Sequence, residues 1–201
     1  MSFVHPARAL LPRPLLVALT GASGAGKTTV AQHVRRLRPA LPVFGFDDIG
    51  IPDFETMRRE HGSELGWQRA TIGRWMRRLR ESSHPVAVLE GQMMVPFLAE
   101  VAGETGAPGV VALMLDCDDA MRFERLRVRG TPHQIGNAVV ARAEQFRQHA
   151  AAAGVPVLNT CRMPFGSVVR TVLAHCEHGP RPILHRKAFH SRHRAAFAWL
   201  F

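Results

Sequence analysis

The stretch Leu15–Thr29, LLVALTGASGAGKTT, decides the fold. Its apolar start predicts a short buried strand over 15–20, and the apolar spacing after the glycines predicts a helix over 27–37. Between the two, GASGAGKT at 21–28 matches the phosphate-binding pattern G-x-x-x-x-G-K-[ST] at every fixed position. Strand, glycine loop and helix therefore follow one another in the order that a P-loop requires.

Each part of this loop has an expected role in binding a nucleoside triphosphate. Backbone N–H groups wrap the anion, and the positive end of the following helix adds to its attraction. Lys27 is expected to reach the β- and γ-phosphates, and Thr28 to ligate Mg²⁺ through its hydroxyl. The chain has only two lysines among 26 basic residues, so a lysine here fits the need for a slim point charge. The predicted cofactor-binding residues are Gly21, Ala22, Ser23, Gly24, Ala25, Gly26, Lys27, Thr28 and Thr29.

Length and charge bound the kind of protein. The 201 residues fit one α/β domain, and half of the net charge of +10 lies in a basic C-terminal tail over 179–201. The basic tail has two interpretations: it increases solubility, or it binds nucleic acid, a partner that is expected only there. Three scattered cysteines without a C-x-x-C pair indicate a reduced, cytoplasmic setting. No apolar run approaches membrane-spanning length, so no membrane partner is expected.

Beyond the first strand and helix, buried apolar runs alternate with helical patterns. Such alternation predicts a parallel sheet with helices on both faces. Residues 50–84 form a polar, helical insertion expected to cover the ligand edge of the sheet, and 1–13 a loose leader. The further strands are predicted at 42–46, 86–89, 110–115 and 155–158, and the further helices at 93–101, 120–129, 137–153 and 165–176.

Acidic residues follow three of these strands, namely Asp47 and Asp48, Glu90, and Asp116. Carboxyl ends of parallel strands share one edge, so the acids are expected to gather around the P-loop. An Asp pair beside the γ-phosphate favours a proton acceptor for a hydroxyl substrate, although either Asp is also a good helix N-cap. Glu90 is expected to order the water shell of Mg²⁺, with a rim ion pair as the alternative. The predicted metal-side residues are Thr28, Glu90 and Asp48.

Arginines recur on one face of the helix over 120–129. Arg122, Arg125 and Arg129 are spaced i, i+3 and i+7, so their charges repel unless an anion arrives. This spacing predicts a lid over 119–136 that closes on the triphosphate, with a solvated basic face as the alternative.

The helical insertion carries an i, i+4 stripe that includes Trp67 and Trp75. Such a stripe most often packs against the sheet. The sharper interpretation places Trp67 in an acceptor pocket, with Gln68 and Arg69 supplying polar contacts.

Four segments together resemble a known family: GASGAGKTT, FDDIG, VLEGQ and LDCDDAMRFERLRVRG. They are similar to the small-molecule P-loop kinases, and within these to the uridine kinase and nicotinamide riboside kinase group. The resemblance implies a three-layer α/β P-loop NTPase fold with a five-stranded parallel sheet in the order 2-3-1-4-5. It also implies a kinase domain over 1–178 with its core at 14–176, ATP and Mg²⁺ as cofactors, Asp47 as base, Glu90 as metal-side acid, and Arg125 and Arg129 as lid arginines.

These observations predict an ATP-dependent kinase that phosphorylates a hydroxyl of a small molecule, either a nucleoside or a sugar-like alcohol. ATP is favoured because an N-K-x-D guanine-reading signature is absent from the sequence. One alternative is a nucleoside-monophosphate kinase, in which Arg58, Arg59 or Arg69 grips the acceptor phosphate. Another is a nucleotide-dependent regulatory protein whose basic tail binds nucleic acid. The oligomeric state stays open.

Overall fold

The computed structural model describes residues 14–105 and 109–178. The predictions made for the leader over 1–13 and for the basic tail over 179–201 lie outside the described residues. Within the described ranges, strands and helices alternate along the chain as the sequence predicts.

A five-stranded sheet forms the centre of the molecule. All its strand pairs are parallel, and the strand order is β2-β3-β1-β4-β5. This confirms the predicted fold class. The register sets Leu19 of β1 opposite Glu90 of β3, so the P-loop leaves the sheet beside the last residue of β3. The strands are β1 (Leu15–Thr20), β2 (Val43–Gly45), β3 (Val86–Glu90), β4 (Gly109–Asp116) and β5 (Val157–Asn159).

Seven α-helices are described around this sheet, together with two short 3-10 turns at Phe46–Ile49 and Pro132–Gln134. None of the described helices combines the length and the apolar character that a membrane crossing requires. The helices are α1 (Lys27–Leu37), α2 (Phe54–His61), α3 (Glu64–Glu81), α4 (Val95–Thr105), α5 (Asp119–Val128), α6 (Asn137–Ala153) and α7 (Phe165–His178).

Four of the five strand predictions differ from the observed bounds, two of them because a neighbouring turn or helix end takes residues from the strand. The second strand ends at Gly45 because the next four residues wind into the first 3-10 turn. The last strand begins at Val157 because the residues before it complete the end of α6: Gly154 has a φ of +64°, and the Val155 N–H donates to the Ala150 carbonyl at 2.8 Å.

The core lies in two layers, one on each face of the sheet. Side chains alternate across a strand, so Leu15, Val17 and Leu19 face α1 and α7, while Leu16 and Ala18 face α3, α4 and α6. All six β1 side chains, including Thr20, are at most 5% exposed. The strand that carries the P-loop is therefore fixed from both sides.

Candidate active site

The P-loop has a backbone that requires glycine at two positions, Gly21 and Gly24. Gly21 has a φ of +134°, and a Cβ there would lie 2.1 Å from the Leu115 carbonyl oxygen. Gly24 has a φ of +78°, and its Cβ would lie 2.9 Å from the Arg122 side chain. The loop thus packs directly against β4 and α5, and its glycines permit that approach.

Lys27 places its ammonium inside the loop. The residue is 8% exposed, and its Nζ donates to the Ala22 carbonyl at 3.0 Å. Burial lowers the pKa of Lys27 to about 8; the negative charges of Glu90 and Asp47 oppose this, and the nearby Arg129 and Arg122 add to it. The site therefore holds a desolvated cation with two carboxylates nearby, a centre suited to a polyanion.

Thr28 and Glu90 meet at the edge of the sheet. The Thr28 hydroxyl donates to Glu90 Oε1 at 3.0 Å, across 62 residues of sequence. Partial burial raises the pKa of Glu90, while Lys27 and the Thr28 hydrogen bond act in the opposite direction. Hydroxyl and carboxylate oxygens are hard ligands of the kind Mg²⁺ prefers. Among the described residues no cluster of three or more His, Cys, Asp or Glu side chains is arranged to hold a metal ion.

The two adjacent aspartates separate into different environments. Asp48 Oδ2 accepts the Gly45 N–H at 2.7 Å and so caps the first 3-10 turn. Burial raises the pKa of Asp47, while the Lys27 charge opposes that rise, so Asp47 lies within electrostatic reach of the loop lysine. The predicted base role of Asp47 and the predicted metal-side role of Asp48 both stay predictions.

Asp116 lies beside the P-loop, where Arg122 connects its carboxylate to the Ser23 carbonyl. Its Oδ1 accepts from Arg122 Nη2 at 2.7 Å, and its Oδ2 accepts from Arg147 Nε at 2.7 Å. The sequence predicts that Asp116 ends a strand near the P-loop, and it does not predict that two arginines from α5 and α6 neutralise it. The acids left near Lys27 come from the ends of β2 and β3.

The three arginines of the predicted lid face lie in different places. Arg122 is fully buried, which corrects the prediction that it faces an incoming anion. Arg125 donates through Nη1 to the Gly24 carbonyl at 3.1 Å and to the Thr160 hydroxyl at 2.8 Å. Arg129 is exposed at the end of α5, where its charge contributes to lowering the pKa of Lys27. Helical spacing correctly predicts that Arg122 and Arg125 share a face of the helix. This face packs against the P-loop, and only Arg129 is left exposed among the three.

Trp67 and Trp75 pack against the segment that carries Asp47. Both side chains are 6% exposed. The Trp67 ring meets the Phe46 ring edge-on at 5.8 Å, and Trp75 Nε1 donates to the Phe46 carbonyl at 3.1 Å. The stripe on α3 therefore serves packing, as the first of the two sequence interpretations predicts, and it fixes the first 3-10 turn.

The predicted polar contacts of an acceptor pocket are engaged elsewhere. Gln68 is 5% exposed, donates to the Gln92 carbonyl at 2.8 Å and accepts from the Met94 N–H at 3.0 Å. Arg69 forms ion pairs with Glu100 at 3.0 Å and Glu104 at 2.5 Å, both on α4. Gln68 thus holds α3 to the segment before α4, and Arg69 pairs α3 with α4, so both side chains are engaged within the protein.

Gln92 is a site residue that the sequence reasoning did not single out. Its exposed side chain extends from the residues after β3 to the P-loop, where Nε2 donates to the Ser23 hydroxyl at 3.2 Å. The available signal is its position two residues after Glu90. Gln92 stands between the loop and the buried Gln68 of α3.

A glycine loop between β1 and α1, a loop lysine and threonine facing acids from β2 and β3, and this strand order together define a P-loop NTPase fold. Residues 17–147 match the AAA domain family. The chain belongs to this family, since the match covers more than half of its 201 residues. Among curated proteins, none matches the sequence significantly.

Solved structures share the fold at low sequence identity. A tunicamycin resistance protein from Deinococcus radiodurans is 18% identical with a TM-score of 0.59, covering 81% of this chain and 95% of its own. A sugar kinase from a Janibacter species is 22% identical with a TM-score of 0.57, covering 81% and 94%. A gluconokinase from Sinorhizobium meliloti is 16% identical with a TM-score of 0.55, covering 82% and 92%. At these identities the likeness concerns the fold.

Proposed function

We propose that the chain is an ATP- and Mg²⁺-dependent kinase that transfers the γ-phosphoryl group to a hydroxyl of a small molecule. The observation that carries this proposal is the contact between strand end and P-loop: Glu90 accepts a hydrogen bond from the Thr28 hydroxyl at 3.0 Å, and the Lys27 charge also acts on Asp47. We assign the first carboxylate to the metal side and the second to proton transfer. A kinase acting on an alcohol needs both.

The P-loop side supplies binding and charge. Lys27 attracts the β- and γ-phosphates, the loop amides surround them, and Arg129 adds a cation from the end of α5. Thr28 and Glu90 fit a Mg²⁺ ion that keeps several waters and binds the substrate phosphates, because both offer hard oxygens at the mouth of the loop. The ion would neutralise charge on the phosphates that are being separated.

Asp47 supplies the acceptor side of the reaction. Its carboxylate takes the proton of the acceptor hydroxyl while the acceptor oxygen bonds to the γ-phosphorus and the bond to the ADP oxygen breaks. Burial raises the pKa of Asp47 and the Lys27 charge opposes that rise; a carboxylate with a raised pKa is a stronger base.

An uncharged acceptor fits better than a monophosphate. The candidates for gripping an acceptor phosphate are Arg58, Arg59 and Arg69. Arg69 is paired with two glutamates of α4, and Arg59 with its neighbour Glu60 at 3.2 Å. A nucleoside-monophosphate kinase would therefore depend on Arg58. The names gluconokinase and sugar kinase among the structural neighbours also favour an alcohol acceptor.

The finer assignment to the uridine kinase and nicotinamide riboside kinase group is also part of this proposal. It rests on FDDIG and VLEGQ, which supply Asp47 and Glu90. A nucleoside or sugar-like alcohol is then the acceptor. The role of the basic tail, including nucleic-acid binding by a regulatory ATPase, stays a separate prediction, because 179–201 lie outside the described residues.

A panel of nucleosides, their monophosphates, sugars and related alcohols, incubated with ATP and Mg²⁺ and assayed for ADP release, tests the proposal. Acceptor-dependent ADP release with an alcohol is the expected result. Release only with monophosphates would favour the alternative kinase class. ATP hydrolysis that no acceptor stimulates would contradict the proposal.

With an acceptor identified, Asp47→Asn and Asp48→Asn form a matched pair. We expect Asp47→Asn to lower kcat by at least about 100-fold with little change in ATP affinity, because only the proton acceptor is lost. Asp48→Asn should act mainly on stability, because it weakens the cap on the Gly45 N–H. The reverse pattern would assign the base to Asp48.

A further inference from the structure

Four consecutive carbonyl groups of the P-loop are held from outside the loop or by its own lysine. Residues Ala22 to Ala25 each have a side-chain donor at hydrogen-bonding distance from the carbonyl oxygen, so four successive peptide groups are held. The contacts are Lys27 Nζ to Ala22 at 3.0 Å, Arg122 Nη1 to Ser23 at 2.7 Å, Arg125 Nη1 to Gly24 at 3.1 Å, and the Thr160 hydroxyl to Ala25 at 3.1 Å.

The Ser23 contact is the shortest of the four and comes from a fully buried guanidinium. Arg122 Nη1 serves the loop, while Nη2 donates to Asp116 at 2.7 Å and to the Cys117 carbonyl at 3.1 Å. Its Nε lies 3.3 Å from Asp119. Every nitrogen of the guanidinium therefore has an acceptor, and the planar group lies between the end of β4 and the back of the loop.

The orientation of the Ser23 carbonyl determines the orientation of the next amide. A peptide unit is planar and trans, so the Gly24 N–H points opposite to the Ser23 C=O. The carbonyl is directed to Arg122, on the side of β4 and α5, so the Gly24 N–H is directed away from them, toward the inside of the loop. Loop amides that point inward are what a P-loop uses to hold phosphate.

We propose that Arg122 is a positioning residue of the nucleotide site: by holding the Ser23 carbonyl it aims the Gly24 amide at the bound phosphates. This inference rests on the proposed nucleotide binding. Arg122 touches no substrate and acts through the loop backbone. A fixed amide needs no reorganisation when the anion arrives, and this preorganisation is expressed as affinity.

Arg147 provides a matched control because it shares the same aspartate without reaching the loop. It donates to Asp116 from Nε at 2.7 Å and to Glu144 from Nη1 at 3.2 Å. Arg122→Met and Arg147→Met each leave Asp116 with one arginine partner. Of the two, only Arg122→Met frees the Ser23 carbonyl, and it also frees the Cys117 carbonyl.

The test measures binding of Mg·ADP and of inorganic pyrophosphate with Mg²⁺ by titration calorimetry, with unfolding midpoints recorded alongside. We expect Arg122→Met to weaken both ligands at least tenfold and Arg147→Met to stay within threefold of the parent. Pyrophosphate lacks a base and sugar, so an equal loss for both ligands locates the effect at the phosphates. Parent-like affinity in Arg122→Met, or equal losses in both variants, would overturn the inference.

Arg122→Lys keeps the proposal testable if Arg122→Met does not fold. A single ammonium replaces the guanidinium nitrogens that serve Ser23 and Asp116 separately, so we expect a folded protein with intermediate affinity. Parent-like affinity in the lysine variant, or failure of both variants to fold, would overturn the positioning role. A parent protein that binds neither ligand would instead overturn the proposed function, and the inference with it.

Discussion

Replacing Lys27 by methionine tests whether the P-loop holds its cation at the expense of stability. The pKa of Lys27 falls from its usual 10.5 to about 8, which corresponds to a cost of about 3 kcal/mol for keeping the ammonium charged in the folded protein at neutral pH. The lost hydrogen bond to the Ala22 carbonyl offsets about 1 kcal/mol of the stability that the variant gains. Lys27→Met should therefore stabilise the ligand-free protein by about 2 kcal/mol at pH 7, or about 4–8 °C in Tm.

The pH dependence gives the same experiment a second readout. Between pH 8 and 10.5 the unfolded chain binds more protons at Lys27 than the folded chain does, so folding stability at this group rises with pH. The gain should be seen in the parent protein and be absent from Lys27→Met. Mg·ATP should raise the Tm of the parent and leave that of the variant unchanged.

Scanning calorimetry with and without Mg·ATP measures both effects. Arg36→Met is the control, because Arg36 is an exposed cation of the same helix and its loss should change stability by less than about 0.5 kcal/mol. A Lys27→Met protein that is less stable than the parent at pH 7 would refute the reasoning. The reasoning would also be refuted if, above pH 8, the stability of the parent did not rise relative to that of the variant.

Three further substitutions address the metal side, the P-loop backbone and the hydrogen bonds of Gln68 to the segment after β3. Glu90→Gln keeps the shape but removes the charge beside Thr28, so the Mg²⁺ concentration for half-maximal rate should rise at least about tenfold; an unchanged Mg²⁺ titration would remove Glu90 from the metal side. Gly21→Ala places a Cβ 2.1 Å from the Leu115 carbonyl at a φ of +134°, and urea unfolding should show a loss of at least about 3 kcal/mol, whereas a loss below 1 kcal/mol would contradict the described loop. Gln68→Leu leaves the Gln92 carbonyl and the Met94 N–H unpaired, which should lower the free energy of unfolding in urea by about 2–3 kcal/mol and lower kcat. A loss of stability with full activity would show that Gln92 does not contribute to the site.

The sequence predicts best what is decided locally. The P-loop, the strand before it and the helix after it form one continuous stretch, so their bounds follow from glycine spacing and apolar periodicity alone. The strand order follows from the resemblance to small-molecule P-loop kinases, and the sheet confirms it.

What the sequence does not decide is which partner a side chain meets across a long separation. Helical spacing puts Arg122 and Arg125 on one face, but only the packing of α5 shows that this face meets the P-loop, 99 and 101 residues earlier. Asp47 and Asp48 are equivalent by position, and the Gly45 N–H distinguishes them by selecting the second. Arg69 has the charge for a phosphate site, yet its partners are glutamates 31 and 35 residues away.

The indole contacts on the first 3-10 turn give the protein built-in optical reporters. Trp75 hydrogen-bonds the carbonyl of Phe46, and Trp67 packs against its ring, so both chromophores contact the residue immediately before Asp47. A ligand that displaces this turn changes the polarity and quenching around the two indoles. Intrinsic tryptophan emission can therefore follow acceptor binding in real time, without a label and before any product is formed.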